Sequence, residues 1–190
     1  MSRGKPKIKL NETAIEKYNT YRNIIEKYNK AIENGFYFEA IFIGYALIDD
    51  RLKSFIYHLN LIDVYRGRKS NNLQLDNELK IILKYDKDSI DIRNISTKIF
   101  IIKKILAHLK NNEKRYSYED MFKQLDNLNI NEVLKKLKEI QNWSEYRNEL
   151  VHALMNKDNE TLNKIVIEKA KLVESYFRYI DKQVTILKKA

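Results

Sequence analysis

Apolar residues along this chain recur at three- and four-residue spacings over long stretches, and nowhere keep the two-residue alternation of a half-buried strand. Ile15, Tyr18, Tyr21, Ile25, Tyr28 and Ile32 mark the first stretch, which starts near residue 11. Asn11 or Thr13 can cap it, Glu16 standing three residues after Thr13 as in a capping box, and Asn34-Gly35 stops it. The second stretch, 36–59, carries Ala40, Ile41, Gly44, Leu47, Ile48, Leu52, Phe55, Ile56 and Leu59 on one wide face. It is expected to be the central packing helix, with Gly44 admitting a close neighbour. The short break between the two predicts an antiparallel hairpin.

Residues 60–76 are polar and read as a surface loop, followed by a short helix over 73–85. A clearer helix over 90–109 rests on Ile95, Ile99, Ile102, Ile105, Leu106 and Leu109, and Asn111-Asn112 ends it. Residues 113–130 are less regular, with room for one short helix around 118–128. A helix over 131–154 uses Leu134, Leu137, Ile140, Trp143, Leu150 and Val151, and residues 156–159 break it. The last helix, 160–187, runs through Leu162, Ile165, Val166, Leu172, Val173, Tyr176, Phe177 and Ile180, and Lys188-Lys189 suit its C-terminal dipole. With no strand and no internal repeat, the pattern predicts one all-α bundle over 11–190 behind a loose basic tail, 1–10.

Composition narrows this further. The chain has 190 residues, 44% hydrophobic, with four Gly and one Pro, which suits long helices rather than a turn-rich β fold. There is no Cys, so disulfides, thiolate zinc sites and Cys nucleophiles are excluded. The three His, at 58, 108 and 152, are spread too widely to suggest a His-based metal site, and no cofactor is expected. The basic start is not followed by an apolar core, and the densest apolar stretch, 36–48, contains Glu39 and ends at Asp49-Asp50. No leader and no membrane partner are therefore expected, and a cytoplasmic location is. The net charge of +10 points to a polyanion, most simply nucleic acid. The excess is mostly Lys in a chain also heavy in Asn, Ile and Tyr, as an AT-rich genome supplies, so charge alone does not decide.

The sharpest chemical signal is Trp143-Ser144-Glu145-Tyr146-Arg147-Asn148-Glu149-Leu150-Val151-His152. A guanidinium stabilises charge on phosphate oxygens, and an imidazole moves protons near neutral pH. Spacing by itself is weak evidence, since Arg51 and His58 fit a similar one; Arg51 reads better as bordering the core beside a carboxylate. Asn148 and His152 share a helix face, whereas Arg147 lies about 140° from His152. The Arg and His of one chain meet only if the Arg side chain curls back or the helix ends locally. The structural alternative is that His152 packs against a neighbouring helix while Arg147 bridges to Glu149 or Asp158.

Arg147-Asn148-Glu149-Leu150-Val151-His152 resembles the Arg-x(4–6)-His signature of HEPN domains, including the polar residue directly after the Arg. The order of elements is similar too: a helical hairpin first, the motif helix late, a long last helix after it. The resemblance implies a HEPN-like helical bundle and a metal-independent endoribonuclease acting on RNA. It implies a homodimer in which the two motifs meet, and a toxin or antiviral role with a possible antitoxin protein. Arg147 and His152 would be catalytic and Asn148 supporting. Some HEPN toxins carry a Tyr two residues after the His, where a partner nucleotidyltransferase modifies them; Leu154 stands there in this chain, so that route of silencing is not implied.

Other residues bear on the same chemistry. Asp49 and Asp50 are candidate accessory acids, able to orient His152 or Arg147 if their helix packs beside the motif helix; the alternative is a solvated helix face or a pair with Arg51 or Lys53. Arg66, Arg68 and Lys69 are candidates to grip an RNA backbone from a loop. Tyr18, Tyr21 and Tyr28 can stack bases but at helical spacing read first as core. The competing class of function is a non-catalytic HEPN-like module that binds nucleic acid, a nucleotide or a partner protein.

Overall fold

The computed structural model describes residues 14–59, 71–111, 125, 127–153 and 159–189, with backbone alone for 14, 147–149, 151–153, 159, 161–162 and 189. Helix α1, Ala14–Glu33, turns through Asn34-Gly35 into α2, Tyr37–His58. Gly35 has φ 75, the left-handed conformation that ends a helix without a Cβ penalty. Next come β1 (Asn72–Gln74), α3 (Asn77–Leu83), β2 (Ser89–Asp91) and α4 (Ile95–Asn111). Two long helices finish the order: α5, Ile130–Ala153, and α6, Asn159–Lys189. The fold is an all-α bundle whose described helices share one hydrophobic core.

The β1–β2 ladder corrects the expectation that no strand is present. It is antiparallel, with Leu73 opposite Ile90, and both are buried. A three-residue strand carries a single inward side chain, so no alternation is visible in the sequence. Its formation shortens two predicted helices. Asp76, with its carboxylate accepting from the Leu79 amide at 2.8 Å, starts α3 at Asn77 rather than 73. Asn94 accepts from the Ser96 amide at 3.1 Å and α4 begins at Ile95 rather than 90. The helix expected around 118–128 lies largely outside the described residues.

Contacts fix the directions of the helices. α2 packs most extensively against α6. Gly44 faces Val173, and Arg51 reaches Asp181 at 2.9 Å, so α2 and α6 run parallel. A Cβ on Gly44 would lie 2.1 Å from Val173 Cγ1, so this glycine sets the approach of the two helices, as its position on the α2 face suggests. α1 is antiparallel to both: Tyr28 donates to the Ala170 carbonyl at 2.8 Å and Lys17 meets Asp50 at 3.4 Å. α5 is antiparallel to α6, since Trp143 lies beside Lys169 and Lys136 beside Tyr179. α2 meets α5 at Tyr45 and Trp143; Lys98 of α4 reaches Asp49, four residues past that level on α2, whereas Lys103 reaches Gln141, nearer that level on α5, so α4 runs against α2 and along α5.

Candidate functional site

Asn129 begins α5, its side chain accepting from the Glu132 amide at 3.2 Å. Val133, Leu137, Ile140, Trp143 and Leu150 are buried along the helix. Trp143 is its main anchor. The indole N–H donates to the Lys169 carbonyl at 3.1 Å, and the ring lies 6.4 Å from Tyr45 of α2 and edge-on to Tyr176 of α6 at 6.2 Å. One turn before Arg147, the backbone is thus held to α2 and α6 together. Tyr146, immediately before Arg147, lies under the Lys169 ammonium at 5.0 Å from the ring centre.

α5 continues as helix to Ala153, one residue past His152. Of the two ways for the pair to converge, the local end of the helix is therefore not used. Register fixes their positions. Arg147 comes four residues after the buried Trp143 and three before the buried Leu150. His152 comes nine residues after Trp143, about 180° round the helix, in phase with Gln141 and the exposed Glu145. One chain presents its Arg and His positions to different sides of α5.

Asp49 and Asp50 are not brought to this pair. α2 does meet α5, at Tyr45 and Trp143, but the two helices are antiparallel. From that level the acids lie toward one end of the bundle and Arg147 and His152 toward the other, about 20 Å from His152 along the axis. Asp49 instead takes the Lys98 ammonium at 2.5 Å, a side chain only 1% exposed. Asp50 takes the Arg51 guanidinium, which also reaches Asp181, and Lys17 from α1. The pairing with Arg51 is legible from adjacency; Lys98, on another helix, is not.

These pairs set the acidities. Burial pushes the Asp49 carboxyl above its ordinary range, and the hydrogen bond and charge of Lys98 only partly offset this. Burial also pushes Asp50 up, but Arg51 and Lys17 outweigh it and hold that carboxyl below the ordinary range. The Arg51 guanidinium lies 4.4 Å from the centre of the Tyr21 ring. Burial raises the Tyr21 hydroxyl to about 12, partly opposed by Arg51, and among the described residues the buried oxygen has no hydrogen-bond partner.

Of the tyrosines on α1, Tyr28 is core, as its spacing suggests, and Tyr18 is exposed. Arg66, Arg68 and Lys69 lie outside the described residues. Among the described residues no group of three His, Cys, Asp or Glu gathers to hold a metal ion, and no helix is long and apolar enough to cross a membrane. No protein-family model, curated protein or solved structure matches the chain.

Proposed function

We propose that the protein is a metal-independent endoribonuclease of HEPN type, acting as a homodimer in a toxin–antitoxin or phage-defence setting. The observation that carries the reading is the unbroken helix under the motif, which runs to Ala153 with Arg147 and His152 about 140° apart. A site needing both groups at one phosphate is then best made by two copies, the His152 of one beside the Arg147 of the other. The all-α bundle, with its early hairpin and long last helix, agrees with the architecture that the resemblance implies.

The chemistry uses the nucleophile that RNA carries. One His152 takes the proton of the 2′-hydroxyl, the freed oxygen attacks phosphorus, and the bond to the 5′-oxygen breaks. The second His152 protonates the leaving oxygen, giving a 2′,3′-cyclic phosphate and a 5′-hydroxyl. Arg147 stabilises the extra charge on the phosphoryl oxygens, and Asn148 orients the phosphate by hydrogen bonding. Asp49 and Asp50, spent on Lys98 and Arg51, take no part.

The test compares wild type with His152→Ala on RNA in the presence of EDTA. Wild type is expected to cut, with the variant slower by about 100-fold or more. Replacing the target 2′-hydroxyl by hydrogen is expected to block cutting. Unchanged cutting by His152→Ala overturns the mechanism, and absence of cutting by wild type moves the assignment to a binding module.

A further inference from the structure

α4 differs from the other long helices in its charge. Its residues include four Lys and no Asp or Glu. α1, α5 and α6 each pair bases with their own acids, as in Arg22–Glu26, Lys136–Glu139, Lys164–Glu160 and Arg178–Glu174. On α4 the buried Lys98 is matched by Asp49 of α2. Lys103, Lys104 and Lys110 lie toward the outer side, and among the described residues none has a carboxylate at ion-pair distance. Beside them Phe100 is 37% exposed, with the Lys104 ammonium 5.8 Å from its ring centre.

This face adjoins the motif helix on the side of His152. The Lys103 ammonium reaches Gln141 of α5 at 3.3 Å, and His152 is in phase with Gln141. Because α4 and α5 run the same way, Lys110 lies further toward the His152 end than Lys103 does. From Phe100 to Lys110 the track is about 15 Å long. Glu145 borders it, accepting from the Gln141 amide at 3.1 Å, but the lysines outnumber that acid.

We propose that the outer face of α4 is the track on which single-stranded RNA lies, Lys103, Lys104 and Lys110 holding its phosphates and Phe100 stacking a base. The track rests on the ribonuclease reading for its role of leading the strand to His152. An aromatic ring beside uncompensated cations is the combination that grips single strands without sequence preference.

The experiment measures binding of a labelled, mixed-sequence 2′-O-methyl oligoribonucleotide, which cannot be cut by 2′-attack, over a range of salt concentrations. The variant Lys103→Gln/Lys104→Gln/Lys110→Gln keeps polar side chains of similar reach but removes three charges. It is expected to reduce the slope of log affinity against log salt by about 2. Phe100→Ala is expected to weaken binding about tenfold with the slope unchanged. A control, Lys164→Gln/Lys171→Gln/Lys182→Gln on the outer face of α6, removes the same charge and is expected to leave the slope near wild type. Equal loss in the control, or no loss in the α4 variant, overturns the track. Cutting of RNA by wild type with binding indifferent to α4 removes the track and spares the nuclease; binding through α4 without any cutting does the reverse. Strong binding of an acidic polypeptide and none of the oligonucleotide overturns the track in favour of a protein partner.

Discussion

Lys98 shows how much a single side chain can depend on its partner. At 1% exposure its ammonium has, among the described residues, Asp49 at 2.5 Å and besides it only the more distant Arg93 carbonyl, at 3.4 Å. Asp49→Ala removes the acceptor of the buried ammonium, which a protonated carboxyl would keep, and is expected to destabilise the protein by about 3–5 kcal/mol. Lys98→Met is expected to cost less, because it fills the same space and leaves a carboxylate that is 29% exposed and can turn to water. Urea unfolding of the two variants checks the order. The two adjacent acids also respond oppositely to pH. Asp49, raised by burial, binds its proton more readily in the folded state, so its contribution to stability grows as pH falls. Asp50, lowered by Arg51 and Lys17 against its burial, contributes stability that is complete above the ordinary carboxylate range and lost as pH falls through its folded value. Between about pH 7 and pH 3 the acid-side loss of stability is therefore expected to be shallower in Asp50→Asn than in wild type. A loss as steep as wild type's, in urea midpoints, would refute the assignment. Sequence reading finds the pair of Asp50 with Arg51 because they are neighbours. It misses Lys98, which sits within an apolar stripe but carries the wrong letter for a pattern of hydrophobic residues.

At the level of elements, the approach of α2 to α6 rests on one missing methyl group. Gly44→Ala puts a Cβ 2.1 Å from Cγ1 of Val173, a β-branched side chain with little freedom to move. The helices must separate, and a cost of about 1–3 kcal/mol is expected. Val173→Ala in the same chain is expected to recover part of it; thermal melts of the single and double variants measure the coupling. The long helices were readable because each repeats its apolar face over several turns. The Gly44 contact was readable because a glycine on such a face has few other uses. The β1–β2 ladder was not, since Leu73 and Ile90 act only through each other and lie 17 residues apart in the chain. For the motif, the angle between Arg147 and His152 follows from counting residues. Whether the helix persists beneath them depends on how Trp143, Leu150 and the flanking helix pack, which counting does not reveal.

The whole molecule is where a shared site would be tested. If two copies complete each other, activity per chain is expected to fall on dilution in step with the dimer fraction seen by sedimentation. Full activity in a demonstrably monomeric sample would exclude the composite site. The parallel run of α2 and α6 has a separate consequence, for biosynthesis. Tyr28 bonds to Ala170, 142 residues later, and Arg51 to Asp181, 130 residues later. At ordinary translation rates the first hairpin waits roughly 6–25 seconds for the helix it packs against. During that interval the apolar face of α2 is open to chaperones, and α5 lacks the support that fixes Trp143. The nascent chain thus reaches its working form only after α6 has left the ribosome, a delay that, on the proposed ribonuclease function, would keep the protein idle beside the RNA that makes it.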